Sequence, residues 1–489
     1  MAEIRNEYGV LINGKFVAPV TGEYMNVINP ANGKVLAQVA SGGNEDVDKA
    51  IDCAEKAGLT WGKSTKAERA RILNKIADII EQHLDHIAKV ETMDTGKTYG
   101  EAKIHLANVV SQFHYFAGVI EAHEDIYVQH DNNSFSLMSR EPLGVCAMII
   151  PWNAPSMLLS WKVAPALAGG NTIVLKPASA APLAILEICR LCQEVLPPGV
   201  LNVVTGPGST VGDRLVHHPK IAKISFTGST ETGKGIGRIA GEHVVPATLE
   251  LGGKSANIVF PDATINKAEM FACMGILSSA GEICVAGSRL FLHESIHDDF
   301  LATLKQKFEA VKVGDPMVEG VQMGPITEET QMQKILAHIE TGVKEGATLV
   351  CGGKRLTGPE YDNGFFIEPT IFADVTNDMR IAQEEIFGPV LVVIKFTDEN
   401  EVIAMANDSS YGLAAGIWTN DIGRIMRVSR ALQAGLVWVN DYLNACSGGS
   451  FGGYKKSGLG REVHRVALDY YTNLKNTCVS LDKGYPPAF

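Results

Sequence analysis

The chain has 489 residues, of which 46% are hydrophobic and 20% charged, a composition typical of a globular protein with two or more domains. Its formal net charge of -12, without a visible basic stripe, argues against non-specific binding to nucleic acid or to anionic membranes. The N-terminal MAEIRNEYGV lacks an apolar signal segment, and no apolar run is long enough to cross a bilayer. Nine scattered cysteines suit a reducing compartment, so we expect a cytoplasmic protein.

The apolar pattern predicts short strands at the start of the chain and helices from Asn44 to about Ala122. The segment SFSLMSREPLG then changes to strand character. From residue 145, strands and helices alternate from VCAMIIP to KISFTGS, which predicts a parallel sheet covered by helices. A second α/β stretch begins near SANIVF and ends near VWVN. The tail LDYYTNLKNTCVSL is typical of an exposed amphipathic edge strand that a partner subunit covers.

Cys189 and Cys192 have the C-x-x-C spacing of a redox or zinc motif. They lie, however, in the helical pattern APLAILEICRLCQEVL, on or near its apolar face. Buried free thiols are therefore the favoured interpretation, because unpaired cysteines are among the most often buried residues.

Three polar residues form a set of parts for covalent chemistry on a carbonyl group. Cys284 lies in SSAGEICVAGSR, Glu250 in LELGGK and Asn153 in PWNAP. A thiol attacks the carbonyl, an amide stabilises the oxyanion and a carboxylate activates water. Each residue alone has an ordinary alternative: a buried structural cysteine, a paired glutamate and an Asx turn, respectively.

FTGSTETGKG places Gly228 and Gly233 between a predicted strand and a helix, where backbone N–H groups can bind a pyrophosphate. An ordinary turn is the alternative. The Walker-type phosphate loop does not fit, because Lys234 is followed by Gly235 instead of Ser or Thr. The glycines of TGPGSTVG are spaced one residue too far apart for the dinucleotide fingerprint.

Two further segments contain candidate cofactor contacts. Lys176 ends the strand of NTIVLKPAS, where ligands of open α/β sheets bind, so it either anchors ribose or phosphate oxygens or is a solvated lysine. In EEIFGPV, Glu385 can grip a ribose diol and Phe387 can support a flat ring. The alternative is a surface carboxylate beside a core phenylalanine.

Seven motifs then occur in one order along nearly the whole chain: PWN, LKPA, FTGSTxxG, LELGGK, GExC, EEIFGPV and FGGYKKSGxGRE. Together they resemble the aldehyde dehydrogenase superfamily, of the non-acylating, hydrolytic NAD(P)-dependent type. The resemblance implies that Cys284 forms a thiohemiacetal with an aldehyde and, after hydride transfer to the nicotinamide, a thioester. It implies an oxyanion hole from the Asn153 side chain and the Cys284 backbone N–H, and a deacylating water activated by Glu250.

The resemblance also implies the remaining site residues. Cofactor contacts are expected at Trp152, Lys176, Ser179, Gly228, Ser229, Gly233, Glu385 and Phe387. A substrate tunnel is expected along Ala154, Trp161, Ile283, Val285 and Phe451. Glu462 resembles a second carboxylate that relays protons. No metal is implied.

Two departures from the family pattern bear on specificity. Many members have glutamate at the position of Ser179, where it binds the adenosine ribose and repels a 2′-phosphate, so we expect NADP to be accepted, alone or alongside NAD. Ala154 stands where many members carry an aromatic residue. With aliphatic Ile283 and Val285 beside the thiol and no Arg or Lys evident nearby, we expect a bulky uncharged or aromatic aldehyde instead of a semialdehyde or betaine aldehyde.

The expected architecture is an α/β subunit with a Rossmann-like cofactor domain (1–124 and 144–252, with 441–466 returning to it) and an α/β catalytic domain (253–440). Residues 125–143 and 467–489 form a small β oligomerisation arm, which implies a homodimer or homotetramer. Two alternatives remain. A CoA-acylating semialdehyde dehydrogenase does not need Glu250 as a base, and an inactive family-fold structural protein would not need Cys284, Glu250 and Asn153 together.

Overall fold

The first part of the chain forms short strands followed by long helices, as the apolar pattern predicts. The computed structural model describes residues 4–444 and 447–481. The strands are β1 Glu7–Tyr8, β2 Val10–Ile12, β3 Lys15–Val17, β4 Tyr24–Ile28 and β5 Val35–Ala40. The helices are α1 Asn44–Trp61, α2 Lys66–Gln82, α3 Leu84–Thr95 and α4 Tyr99–Glu121. A hairpin follows, made of β6 Ile126–Gln129 and β7 Ser134–Pro142.

The predicted alternation of strands and helices begins at residue 145. Its elements are β8 Val145–Ile150, α5 Pro155–Ala168, β9 Thr172–Pro177, α6 Leu183–Cys192, β10 Leu201–Val203, α7 Asp213–His217, β11 Ile221–Thr227, α8 Thr230–His243 and β12 Ala247–Glu250. A π-helical turn, Gly208–Gly212, precedes α7. Strand β9 and nearly all of helix α5 are buried, as their continuous apolar sequences require.

The second α/β stretch supplies the remaining elements. They are β13 Ala256–Val259, α9 Ile265–Leu277, β14 Arg289–His293, α10 Glu294–Glu309, α11 Glu329–Lys344, β15 Thr348–Cys351, β16 Thr370–Ala373, α12 Arg380–Gln383, β17 Val390–Phe396, α13 Glu399–Asn407, β18 Tyr411–Gly412, β19 Ala414–Trp418, α14 Ile422–Ala431 and β20 Leu436–Val439. The chain ends with β21 Tyr454–Lys455, β22 Gly458–Leu459 and β23 Thr472–Ser480. Among the described residues, no helix combines the length and the apolar composition that a bilayer crossing needs.

Two large sheets organise the molecule. The first has eight strands in the order β22-β12-β11-β8-β9-β10-β2-β3, and its centre from β12 to β10 is parallel. The second has seven strands in the order β15-β16-β17-β14-β13-β19-β20, parallel except for β15. This is the mixed α/β fold expected from the sequence, with helices packed on parallel sheets.

The register of the first sheet brings four functional segments to one edge. Lys176 on β9 and Phe226 on β11 both pair with Ile149 on β8, while Thr227 pairs with Glu250 on β12. The carboxyl ends of these strands therefore lie side by side. The PWN turn, the LKPA turn, the start of α8 and LELGGK all leave the sheet at this edge, where open α/β sheets bind ligands.

A three-stranded sheet in the order β23-β7-β6 stands apart from the two large sheets. The expected strand over LDYYTNLKNTCVSL is wrong in its first part, because a 3-10 helix occupies Arg465–Tyr471 and buries Ala467, Leu468 and Tyr471. The strand itself begins at Thr472, pairs with β7 and is exposed along almost its whole length instead of alternating. Residues 482–489 of the predicted arm lie outside the described residues.

The thiols of Cys189 and Cys192 are buried on α6, as predicted. Burial raises the pKa of both thiols, that of Cys192 to about 12. Both side chains belong to the hydrophobic core between α6 and its neighbours.

Candidate active site

A cleft of about 320 Å³ opens where the carboxyl edge of the first sheet meets loops of the second. It brings together eight of the residues predicted from sequence: Trp152, Asn153, Gly228, Ser229, Glu250, Cys284, Glu385 and Phe387. These residues come from five segments that are far apart in the chain. The predicted nucleophile, amide and base thus share one cavity with most of the predicted cofactor contacts.

Cys284 follows a tightly packed turn between α9 and β14. Ser279 and Ala280 adopt left-handed backbone angles, φ 46° and 51°, and Gly281 has φ 75°. A Cβ on Gly281 would overlap the backbone carbonyl of Gly388, so only glycine fits this approach. The Ser279 N–H also donates to Glu101 Oε1 at 2.6 Å. These contacts fix the loop that carries the thiol.

The surroundings of Cys284 raise the pKa of its thiol. Burial raises its pKa first, and the carboxyl groups of Glu385 and Glu250 raise it further. Each of these effects disfavours a thiolate. Attack on a carbonyl from this arrangement therefore requires loss of a proton from the thiol.

Asn153 is fixed at both its side chain and its backbone. Its Nδ2 donates to the Glu282 carbonyl at 2.9 Å, and its own carbonyl accepts a hydrogen bond from Lys97 Nζ at 2.8 Å. Lys97 is in turn paired with buried Glu91 at 2.9 Å. A carboxamide nitrogen has two hydrogens, so one remains free to donate to an oxygen beside the Cys284 sulfur.

Glu250 ends β12 with its carboxyl group buried and without a hydrogen-bond partner among the described residues. Burial raises the pKa of Glu250 well above its usual value, and the neighbouring Glu462 raises it further. Glu462 itself is paired with buried Lys162, with Oε1 and Nζ 2.6 Å apart. An unpaired carboxyl group in such surroundings is typical of a site of proton transfer.

The phosphate-binding candidate consists of Ser229 and the first turn of α8. Ser229 caps this 14-residue helix, and its Oγ accepts a hydrogen bond from the Thr232 N–H at 3.3 Å. Gly233 has a packing reason to be glycine, because a Cβ there would overlap the Leu251 side chain. The free N–H groups at the start of this helix can bind an anion such as a pyrophosphate. Gly233 serves a different purpose, because its missing side chain lets the helix approach the sheet.

Lys176 and Ser179 lie beside the Gly206–Gly212 segment, at the same sheet edge. The solvated alternative for Lys176 is wrong, because the side chain is only 4% exposed and its Nζ donates to the Pro177 carbonyl at 3.0 Å. Burial lowers the pKa of Lys176 to about 8. Ser179 Oγ donates to the Gly206 carbonyl at 3.1 Å, which anchors the turn.

Glu385 and Phe387 close the cleft from the second sheet. Glu385 Oε1 accepts a hydrogen bond from the Gly253 N–H at 3.0 Å, and burial raises the pKa of this carboxyl group to about 7. Phe387 has a left-handed φ of 56° and makes an edge-to-face contact with Trp152 at 5.5 Å. Gln331 Nε2 donates to the Phe387 carbonyl at 2.9 Å and fixes this unusual backbone.

Sequence motifs did not identify the α11 side of the cleft. Gln331, Lys334 and His338 all line it. Their spacing of three and four residues places them on one helical face, which is the only sequence signal they carry. A helical face of this kind is usually a solvated one, so it could not be assigned to the site without the fold.

The predicted tunnel residues fall into two groups. Ala154 and Val285 are buried next to Asn153 and Cys284, and Ile283 is half-buried. Trp161 and Phe451 form an aromatic corner with ring centroids 4.7 Å apart. Phe451 is followed by Gly452, where a Cβ would lie 3.0 Å from Glu250 Oε1. The aromatic corner therefore lies near the Glu250 side of the cleft. Asn108, which no sequence motif marks, accepts a hydrogen bond from Trp161 Nε1 through its Oδ1 at 3.1 Å.

Known proteins are similar to this chain in sequence and fold. A model of the aldehyde dehydrogenase family matches residues 16–477. An aldehyde dehydrogenase from Bacillus cereus, solved as an NAD+ complex, is 42% identical, with 97% of each chain covered and a TM-score of 0.95. A betaine aldehyde dehydrogenase from Staphylococcus aureus, also solved with NAD+, is 36% identical over 100% of this chain and 97% of that one, with a TM-score of 0.97.

Proposed function

Since the chain belongs to the aldehyde dehydrogenase family, we propose that it oxidises an aldehyde to its carboxylic acid through a covalent intermediate on Cys284. The observation that carries this proposal is the meeting of Cys284, Asn153 and Glu250 in one cleft. An inactive scaffold would have no need of a buried carboxyl group that lacks a hydrogen-bond partner among the described residues in the same cleft as a free cysteine.

In the proposed first step, Cys284 loses its proton to the solvent in the cleft and its sulfur bonds to the aldehyde carbon. The carbonyl oxygen becomes an oxyanion, which receives hydrogen bonds from Asn153 Nδ2 and the Cys284 backbone N–H. NAD, when bound, accepts the hydride that leaves the same carbon. Cys284 then carries a thioester.

Hydrolysis of the thioester is assigned to Glu250. Its carboxylate takes a proton from water, whose oxygen attacks the thioester carbon, and the carbon–sulfur bond breaks to release the acid and the thiol. Neither carboxyl oxygen of Glu250 has a hydrogen-bond partner within the described part of the chain, so both can bind this water. A CoA-acylating enzyme would not need this base, so hydrolysis is favoured over transfer to CoA.

The residues of the cleft fit a nicotinamide dinucleotide. Ser229 and the N–H groups at the start of α8 would hold the pyrophosphate, and Lys176 and Glu385 would hold ribose hydroxyls. Trp152 and Phe387 would contact the nicotinamide side of the cofactor. Among the described residues, neither the half-buried carboxyl group of Glu385 nor the nearly buried ammonium group of Lys176 has a counter-ion at hydrogen-bond distance, which suits groups that bind a ligand.

Cofactor choice is assigned to Ser179. A serine in this turn lacks the negative charge that would repel a 2′-phosphate, so NADP is accepted alongside NAD. Its hydroxyl already donates to the Gly206 carbonyl. The oxygen of that hydroxyl can still accept a hydrogen bond from a ligand.

The substrate is assigned as a bulky, uncharged aldehyde with an aromatic body. The small Ala154 leaves room beside Asn153, and the flat faces of Trp161 and Phe451 match an aromatic ring. Aliphatic Ile283 and Val285 flank the thiol on the chain and offer no charge to a carboxylate or an ammonium group.

The proposed subunit has a cofactor domain (1–124, 144–252 and 441–466), a catalytic domain (253–440) and a β arm (125–143 and 467–489). The arm is proposed to join subunits into a homodimer or homotetramer. The three-stranded sheet of the arm exposes apolar side chains, namely Ile126, Tyr127, Leu137 and Leu474. Exposed edge strands with apolar residues favour association.

The test is the appearance of reduced nicotinamide when the purified protein is mixed with aromatic and aliphatic aldehydes, each with NAD and with NADP. Turnover of aromatic aldehydes with both cofactors is expected. Turnover with NAD alone would contradict the role of Ser179. Turnover that depends on added CoA would support the acylating alternative, and no turnover under any condition would favour an inactive family-fold protein.

A further inference from the structure

Asn108 on α4 donates no hydrogen bond through its side-chain nitrogen to any described residue, although its oxygen is engaged. The oxygen accepts a hydrogen bond from Trp161 Nε1 at 3.1 Å. An indole N–H is a donor and never an acceptor, so the amide can face Trp161 only with its oxygen. The two Nδ2 hydrogens must therefore point away from the indole edge.

The Asn108 residue is half-buried and contacts the indole nitrogen of the aromatic corner. Trp161 itself is 3% exposed and packs on Phe451, which is 9% exposed. Phe451 precedes Gly452, the residue that approaches the Glu250 carboxyl group. A series of contacts thus leads from Glu250 through Gly452, Phe451 and Trp161 to an amide nitrogen that has no partner among the described residues.

We infer that Asn108 is a specificity-determining residue, which donates a hydrogen bond to an uncharged oxygen at the far end of the substrate. This inference rests on the proposed function, and it narrows the substrate to aromatic aldehydes that carry an ether, hydroxyl or carbonyl oxygen on the ring. A site with a built donor favours such a substrate, because an apolar analogue leaves the donor unpaired.

The test compares methoxybenzaldehyde with ethylbenzaldehyde, substituted in the para or the meta position. The two substituents have the same number of heavy atoms and differ in the acceptor oxygen. The quantity measured is the ratio of kcat/KM for the methoxy compound to kcat/KM for the ethyl compound. Intrinsic differences in aldehyde reactivity cancel when this ratio is compared between the wild type and a variant.

Asn108→Leu should lower the ratio by about fivefold in at least one of the two positions, which is the size of one hydrogen bond. Asn108→Asp keeps an oxygen for Trp161 but removes both donors, so it should lower the ratio as well. Asn74→Leu is the matched control. Asn74 lies on α2 and its Oδ1 contacts Nδ1 of His114, a residue of the same helix α4 as Asn108, at 2.7 Å. This variant should leave the ratio unchanged.

Three results would overturn the inference. Equal ratios in the wild type and Asn108→Leu at both positions would exclude a direct contact. A fall in Asn108→Leu without a fall in Asn108→Asp would mean that Asn108 acts only by orienting Trp161. No turnover of either compound by the wild type, with turnover of aliphatic aldehydes, would overturn the aromatic substrate class itself. Turnover of the ethyl compound by each variant serves as the check that it is folded.

Discussion

Lys97 donates a hydrogen bond from Nζ to the backbone carbonyl of Asn153 at 2.8 Å, and the same ammonium group is paired with Glu91 at 2.9 Å. Both charged side chains are almost completely buried. Burial raises the pKa of Glu91, but the charge of Lys97, together with His105 and Ser156, lowers it to about 2. A buried ion pair thus holds the turn that presents the predicted oxyanion donor. We interpret this ion pair as a device that positions Asn153, because a buried ion pair contributes little to net stability.

We expect Lys97→Met to lower kcat by about tenfold to a hundredfold, because small displacements of a reacting group have effects of this size. The KM for the aldehyde should change little, since the oxyanion forms only after binding. The measurement is steady-state kinetics with one aldehyde over a range of concentrations. An unchanged kcat would contradict a positioning role for Lys97.

The same variant removes the ammonium partner of buried Glu91 and leaves it with His105 Nδ1 at 3.4 Å. Breaking a buried ion pair costs about 3–5 kcal/mol of stability. Glu91→Gln added to Lys97→Met removes that charge and should recover most of the loss in melting temperature. The double variant should remain slow, because nothing then holds the Asn153 carbonyl. Recovery of kcat together with stability would assign the defect to folding alone.

Glu250→Gln should separate the two halves of the reaction. Acylation does not use Glu250, so a burst of reduced cofactor should persist, while steady turnover should fall by at least about a hundredfold without the base. Stopped-flow absorbance measures both phases. Loss of the burst would give Glu250 a role in acylation instead of in hydrolysis.

Ser179→Glu should shift cofactor choice towards NAD. The new carboxylate would meet the 2′-phosphate of NADP, and kcat/KM for NADP should fall by about a hundredfold because like charges brought together cost several kcal/mol. Ser179→Ala is the matched control and should change the NADP to NAD ratio much less. An unchanged ratio in Ser179→Glu would show that the adenosine end binds elsewhere.

The rate of the burst should rise with pH. Burial and two neighbouring carboxyl groups raise the pKa of the Cys284 thiol, and only the thiolate attacks. The thiolate fraction below that pKa grows about tenfold for each pH unit. Glu250→Gln should show the same limb, displaced to lower pH because one of the carboxyl groups that raise the pKa is gone. A flat profile between about pH 6 and pH 9 would show that the thiol is already ionised.

Much of the site could be predicted from local sequence. Lys176 ends one strand that the alternation predicts and the Gly228–Gly233 turn follows another, so their common edge follows from local sequence. Glu250 ends a strand that the alternation did not include, and only the family resemblance joined it to the site. The buried and polar partners could not be predicted in this way. Lys97 contacts Asn153 across 56 residues, and Lys162 contacts Glu462 across 300.

Long-range pairs of this kind depend on how α3, α5 and the C-terminal segment pack, which no local pattern specifies. Asn108 gave no signal for the same reason, because a half-buried asparagine on a helix is ordinarily a solvated one. In the C-terminal tail, the local sequence predicted a strand where the structure has a helix. Aromatic residues at Tyr470 and Tyr471 favoured a strand, whereas burial of Tyr471 is achieved by a 3-10 helix.

The most direct measurement is the mass of the Cys284 peptide after Glu250→Gln is mixed with an aldehyde and NAD, quenched in acid and digested. The peptide should gain the mass of the acyl group. When NAD is omitted, no thioester forms, so the peptide should keep its free thiol and show no gain in mass. Cys284→Ala in the same background should give neither the adduct nor the burst. Reduced cofactor formed without an adduct on Cys284, or from the Cys284→Ala variant, would contradict covalent catalysis by this thiol.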